Sequence, residues 1–245
     1  MHHFYCLSRD IYEDRIIITD RDSAHHMRDV LRLKKSEKIV VFDERGREYE
    51  CVVEEISGQP NLRITRKLLS QNRPKEMQIT VACALPKKAS MDEIVDKLIQ
   101  LGVHRIIPLN TARVVVKLDL EKSIAKMRRW QKIALNSSQQ SQRRNLPIIE
   151  PLKSLTGILE NDADQFDLKL IPTLVPKGRK PLKGILAKTK AKSVLVLIGP
   201  EGDFTPEEVA LARKYGCIPV TLGDLVLRVD TACLAVVSYL RFAFL

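Results

Sequence analysis

Residues 194–216 read VLVLIGPEGDFTPEEVALARKYG. Five apolar residues, Val194 to Ile198, stop at a glycine, which is how a strand buried on both faces ends. The loop Gly199-Pro200-Glu201-Gly202-Asp203-Phe204 follows. Thr205 and Glu208 then stand in the spacing of a capping box, Pro206 takes the first helical position, and Gly216 ends the helix. A strand, a glycine loop and a capped helix in that order form the repeating unit of a mostly parallel α/β sheet, which binds ligands beyond the carboxyl ends of its strands.

The pattern recurs on either side. Apolar runs at 79–85, 105–109, 168–171 and 218–222 are short and bounded by breakers. A helix is predicted from Ser90, with Glu93 as a second capping box, through Met91, Ile94, Val95, Leu98 and Ile99 to Gly102. An apolar helix is predicted over 230–244. Residues 1–72 read differently, with β-type runs at 16–19, 38–42, 48–53 and 62–65 and a hairpin turn at Asp43-Glu44-Arg45-Gly46. DSAHHMRDVLRL, residues 22–33, reads as a short helix and turn at a barrel corner. The polar stretch SQNRPK at 70–75 marks the boundary, so the expected domains are 1–72 and 73–245.

Composition narrows the function. The 245 residues carry 41 Lys and Arg against 30 Asp and Glu, a net +11. The excess is local: residues 1–72 are neutral with 13 of each sign, whereas 73–144 hold 15 basic and 6 acidic, and 122–144 hold seven basic residues and no acid. An acidic partner such as nucleic acid fits that balance. No apolar run approaches the roughly 18 residues of a membrane span, and the charged N-terminus has no secretory signal, so a cytoplasmic location is expected. Five scattered cysteines without a CxxC pair, and histidines without HExxH, disfavour a disulfide framework and a metal site.

Three stretches lie at predicted strand ends: Leu170-Ile171-Pro172-Thr173, the loop at 199–204, and Leu222-Gly223-Asp224-Leu225-Val226-Leu227-Arg228. Together they would line one crevice. The glycine loop matches neither GxGxxG nor GxxxxGK[ST], which leaves a plain tight turn as the competing reading. For Arg228 the competing reading is a surface residue or a helix-end ion pair.

VLRL at 30–33, KLIQLGVHRIIPL at 97–109, RWQKIALNSSQQSQRRNLP at 129–147, the stretch at 194–216 and LGDLVLRVDTA at 222–232 together resemble the bacterial 16S ribosomal RNA uridine N(3)-methyltransferase family of the SPOUT superfamily. The resemblance spans nearly the whole chain. It implies an N-terminal PUA-like β-barrel that holds RNA, a C-terminal SPOUT domain tied in a deep trefoil knot, a homodimer, and S-adenosyl-L-methionine as cofactor. By the same resemblance the cofactor is held by Leu170, Pro172, Thr173, Ile198, Gly199, Pro200, Glu201, Gly202, Leu222, Gly223, Val226, Leu227 and Arg228. The chain departs from the family's LGPRVLRTETA at Asp224, Leu225, Val229 and Asp230, and from its E-Q-x-G-R at Gln139 and Gln142, while Gln140 and Arg143 match. The family's ELG is Gln100-Leu101-Gly102 here.

Methyl transfer to a uracil ring nitrogen is an in-line displacement that demands positioning first. Negative charge developing on the uracil calls for a fixed cation, Arg228 before Arg143, and the ring proton calls for an acceptor, Glu201 or Asp230. The base must leave its stack to reach such a crevice. Lys122, Lys126, Arg129 and Lys132 recur at helical spacing and, with Lys87, Lys88, Gln140, Arg143 and Arg144, suit RNA phosphates, with a solvated helix face as the bland reading. His25, His26, Arg28 and Arg32 fall in the family's RNA-contacting corner. The expected partner is 16S rRNA or the small ribosomal subunit. The competing functions are a non-catalytic RNA-binding or assembly factor and a nucleotide-dependent α/β enzyme.

Overall fold

The chain divides into two units, Met1–Pro74 with Leu135–Leu146, and Lys75–Ala134 with Pro147–Leu245. The computed structural model describes residues 1–68, 77–87, 90–116, 118–175, 178–186 and 189–243. The boundary stretch at 70–75, Lys88 and the end of the predicted 230–244 helix lie outside the described residues.

In the first unit, β1 (His3–Cys6), β2 (Ile11–Tyr12), β3 (Arg15–Ile17), β4 (Lys38–Asp43), β5 (Glu48–Glu55) and β6 (Asn61–Leu68) form one sheet in the order β1-β4-β5-β6-β3-β2. β1 joins β4 in parallel and the other pairs are antiparallel. Alternation sends Phe4, Cys6, Ile16, Ile39, Val41, Cys51, Val53 and Leu62 into one core, which Met27 and Leu33 complete. Register shifts at Glu50/Cys51 and Val53/Glu55 break the β5–β6 ladder, and such bulges raise local twist and curl a sheet into a half-barrel.

The turn between β4 and β5 is built around Asp43. Gly46, at φ +72°, donates its N–H to the Asp43 carbonyl at 3.0 Å. The fully buried Asp43 carboxylate accepts from Arg45 N at 3.0 Å, Arg47 N at 2.9 Å and Arg47 Nε at 2.6 Å. Asp43→Ala strips three donors of their acceptor. Arg47 is half-exposed and can rehydrate, so the expected loss is about 2 kcal/mol by urea unfolding, with Asp43→Asn losing about half of that.

Residues 22–33 depart from a plain helix and turn. The segment starts as α1 (Arg21–His25), capped by Asp20, which accepts from Ser23 N at 2.7 Å, and then widens into a π-turn over His26–Val30. The first unit also takes in Leu135–Leu146. Arg144 Nε there lies 2.9 Å from the buried Glu48, and Gln142, where the resembled pattern has glycine, takes a left-handed φ of +56°.

The second unit is a fully parallel sheet of β7 (Gln78–Ala84), β8 (Arg105–Asn110), β9 (Ile148–Ile149), β10 (Lys153–Ser154), β11 (Leu168–Pro172), β12 (Lys180–Pro181), β13 (Ser193–Ile198) and β14 (Ile218–Thr221). Its order is β10-β8-β7-β13-β11-β14-β12, with β9 paired to β8. Successive side chains go to opposite faces. Val194, Val196 and Ile198 pack with α2 (Met91–Gln100), Trp130 of α3 (Leu120–Gln140) and α7 (Val229–Ala243), whereas Leu195 and Leu197 pack with α4 (Leu155–Asn161) and α6 (Pro206–Lys214). A short α5 (Leu182–Leu186) follows β12. α6 carries the complete Thr205–Glu208 capping box with Pro206 at its start. At α2 the expected box does not form. Ser90 makes no side-chain cap, Glu93 faces solvent, and Asp92 instead accepts from Trp130 Nε1 at 2.9 Å. Among the described residues no helix is long and apolar enough to cross a membrane.

Candidate functional site

The carboxyl ends of β11, β13 and β14 open on a common cleft. Pro172, Ile198, Val220, Leu222, Leu227, Val229 and Ala232 give it apolar walls, and Thr173, Arg179, Glu201 and Asp203 add polar groups. Ligand clefts typically combine apolar walls with a few convergent polar groups in this way. Of the cofactor-binding residues expected from sequence, Pro172, Thr173, Ile198, Gly199, Pro200, Glu201, Leu222, Gly223, Val226 and Leu227 line it. Leu170 is buried in the sheet below, and neither Gly202 nor Arg228 is a lining residue.

Local chemistry explains the loop at 199–204. A Cβ on Gly199 would come 3.0 Å from the ring of Phe204, which is fully buried, so this glycine makes room for the phenylalanine anchor. Gly202 faces Arg113, whose Nη1 donates to the Gly202 carbonyl at 2.6 Å. Lys87 N donates to Glu201 Oε1 at 2.8 Å, and Ala112 N donates to Glu208 Oε1 at 2.8 Å. Two carboxylates and one guanidinium thus brace the β13 loop against the segments following β7 and β8. The Glu201 carboxylate already holds a backbone amide, a role that sequence reading did not assign to it.

Arg228 is exposed at the start of α7, where its carbonyl accepts from Ala232 N at 2.8 Å. Asp230 is half-buried in the first turn of α7, between the lining residues Val229 and Ala232, and its Oδ1 is buried without a hydrogen-bond partner among the described residues. Cys233 follows, with its sulfur 3.6 Å from that of Cys83. The hydrogen bond to Cys83 and burial push the Cys233 thiol well above its ordinary range.

The basic residues are less uniform than their sequence suggests. Arg129 pairs with Asp92 at 2.6 Å, Lys122 with Asp119 at 2.8 Å, and Arg144 with Glu48. Lys126 lies 6.0 Å from the Trp130 ring centre, and Lys87 and Gln140 are exposed. In the first unit, His25 and Arg28 both converge on Asp29, at 2.6 and 2.9 Å. The Arg28 hydrogen bond holds the Asp29 carboxyl below its usual range. His26 packs edge-on to Phe4, and Arg32 is exposed with φ +52°. Arg143 is half-buried. Asp119 sits three residues before Lys122, but Asp92 and Glu48 reach Arg129 and Arg144 from distant segments that the run itself does not show.

Residues 73–241 match the family model for an RNA methyltransferase domain, and residues 18–60 that for an RNA methyltransferase PUA domain. The ribosomal RNA small subunit methyltransferase E of Mesomycoplasma hyopneumoniae is 30% identical over 96% of this chain and 96% of its own, and that of Bacillus subtilis is 28% identical over 90% and 88%. Among solved structures, the Neisseria gonorrhoeae ribosomal RNA small subunit methyltransferase E bound to S-adenosyl methionine superposes with TM-score 0.85 at 25% identity, covering 100% of this chain and 98% of that one. A Legionella pneumophila protein in complex with bound cofactor SAM superposes with TM-score 0.85 at 28% identity, covering 98% and 97%. By its sequence match and its fold, this chain belongs to the RNA methyltransferase family and carries that family's PUA domain at its N-terminal end.

Proposed function

We propose that the chain is an S-adenosylmethionine-dependent methyltransferase that methylates N(3) of a uridine in the 16S rRNA of the small ribosomal subunit. The observation that carries this reading is the cleft itself: three strand-end loops of a family methyltransferase domain converge on it, with an exposed arginine and a partly buried, unpartnered carboxylate oxygen in the adjoining segment. The residues present fit the cofactor. Apolar Pro172, Ile198, Leu222 and Leu227 suit a flat purine, and Arg179 and Glu201 offer charges to an amino-acid tail. When bound, the cofactor supplies an electrophilic methyl group on a sulfonium.

The chain's own residues do the rest. The braced β13 loop holds the cleft in one shape, so little reorganisation is needed when the two reactants meet. Arg228 offers an exposed cation for negative charge on the uracil oxygens, and Asp230 accepts the ring proton. Lys87, Lys88, Lys126 and Arg143 bind phosphates of an RNA whose target base has left its stack. Residues 1–72 act as the RNA-holding domain and 73–245 as the methyltransferase domain. A deep trefoil knot is inferred for the latter from its membership of the RNA methyltransferase family. A homodimer is inferred from the family resemblance, with the exposed apolar Phe242 of α7 outside the cleft as a candidate contact.

Primer extension on 16S rRNA tests the substrate. Methylation at N(3) blocks pairing, so a strong stop is expected with RNA from cells that hold the gene, and none after its deletion. An unchanged stop pattern contradicts the assignment to this rRNA.

A further inference from the structure

We infer that Asp203 is a positioning residue for the cleft, fastening the loop after β11 to the loop after β13 through its carboxylate. Asp203 Oδ2 accepts from Thr173 Oγ1 at 2.8 Å and from Leu174 N at 2.7 Å, across thirty residues of sequence. Thr173 carries the tie onward, because its N–H donates to the carbonyl of Val220 at 3.2 Å at the end of β14. The Asp203 side chain thus ties the β11 and β13 ends together, a backbone bond joins the β11 end to β14, and Thr173, Leu174, Val220 and Asp203 all line the cleft.

The backbone supports the same reading. Asp203 holds a left-handed φ of +58°, a region that residues with a side chain rarely occupy and that Asp and Asn tolerate best. Its N–H closes a turn onto the Pro200 carbonyl at 2.9 Å, and the next residue is the buried anchor Phe204. A strained conformation persists only where its surroundings over-determine it, and here a turn, an anchor and two hydrogen bonds to one carboxylate oxygen do so. The Thr173 hydroxyl also accepts from Val175 N at 3.1 Å, so it serves to shape the loop, leaving ligand contacts to the neighbouring backbone and apolar walls.

The ligand in this inference is the S-adenosylmethionine of the proposed function, on which that half of it rests. Two substitutions separate the tie from the strain: Asp203→Gly accepts the positive φ but has no carboxylate, whereas Asp203→Asn keeps both the φ and an acceptor oxygen. In ligand-free protein, amide hydrogen exchange at Leu174 is expected to rise about tenfold in Asp203→Gly and to stay within about threefold of wild type in Asp203→Asn. By calorimetry, the Kd for S-adenosylmethionine rises about tenfold in the glycine variant, with Asn restoring it and RNA affinity unchanged in both. Glycine and wild-type proteins with equal Leu174 exchange and equal affinity overturn the inference, as does an Asn variant no better than Gly. If the wild-type protein itself gives no heat with S-adenosylmethionine, the proposed function fails, and the exchange comparison still decides whether Asp203 ties the loops.

Discussion

Replacing Arg228 by alanine is expected to lower kcat for methyl transfer by about two to three orders of magnitude, the usual cost of removing one donor aimed at developing charge. Affinity for RNA should change by less than about threefold, because one phosphate contact among many carries little of the binding. The structure gives the reason to expect so uneven an effect. Arg228 stands exposed at the head of α7, directly after the lining residues Val226 and Leu227, and its side chain makes no ion pair among the described residues. It is therefore available to a substrate. Arg129 and Arg144, by contrast, are held by Asp92 and Glu48. Single-turnover kinetics with saturating RNA separate the two roles, and equal losses in rate and affinity would reduce Arg228 to a phosphate contact.

The second large effect is expected at Asp230. Its buried Oδ1 has no hydrogen-bond partner among the described residues, an arrangement that costs free energy unless a ligand group satisfies it. Asp230→Asn removes the proton acceptor while keeping the shape, and kcat should fall by about a hundredfold or more with the Kd for S-adenosylmethionine held within about threefold. Glu201→Gln retains an acceptor for Lys87 N, so its kcat should fall less than about tenfold. A Glu201→Gln enzyme slower than Asp230→Asn would exchange the two assignments.

Much of the second unit was legible in the sequence because its signals are local. The run at 194–198 is β13, the Thr205–Glu208 box is complete, and Gly102 and Gly216 end their helices at φ +83° and +80°. Signals that depend on distant partners were not legible. Ser90 has the spacing of a cap but makes none, the two-residue strands β9, β10 and β12 carry no periodicity, and Leu135–Leu146 groups with the first unit although it continues a helix of the second. The site divides in the same way. Its lining loops could be read from strand ends, whereas the Glu201–Lys87, Arg113–Gly202 and Asp203–Thr173 contacts join residues 114, 89 and 30 positions apart. The acids that neutralise Arg129 and Arg144 likewise come from other segments, so a charge count along the chain overstated the free basic surface.

The most direct measurement follows label from S-adenosyl-[methyl-³H]methionine into purified small subunits lacking the modification, with digestion to nucleosides afterwards. The account predicts that the label appears in 3-methyluridine, and that it is lost in Arg228→Ala and Asp230→Asn proteins which still bind RNA. Label in any other nucleoside, or none in the presence of a folded protein that binds both partners, would contradict it.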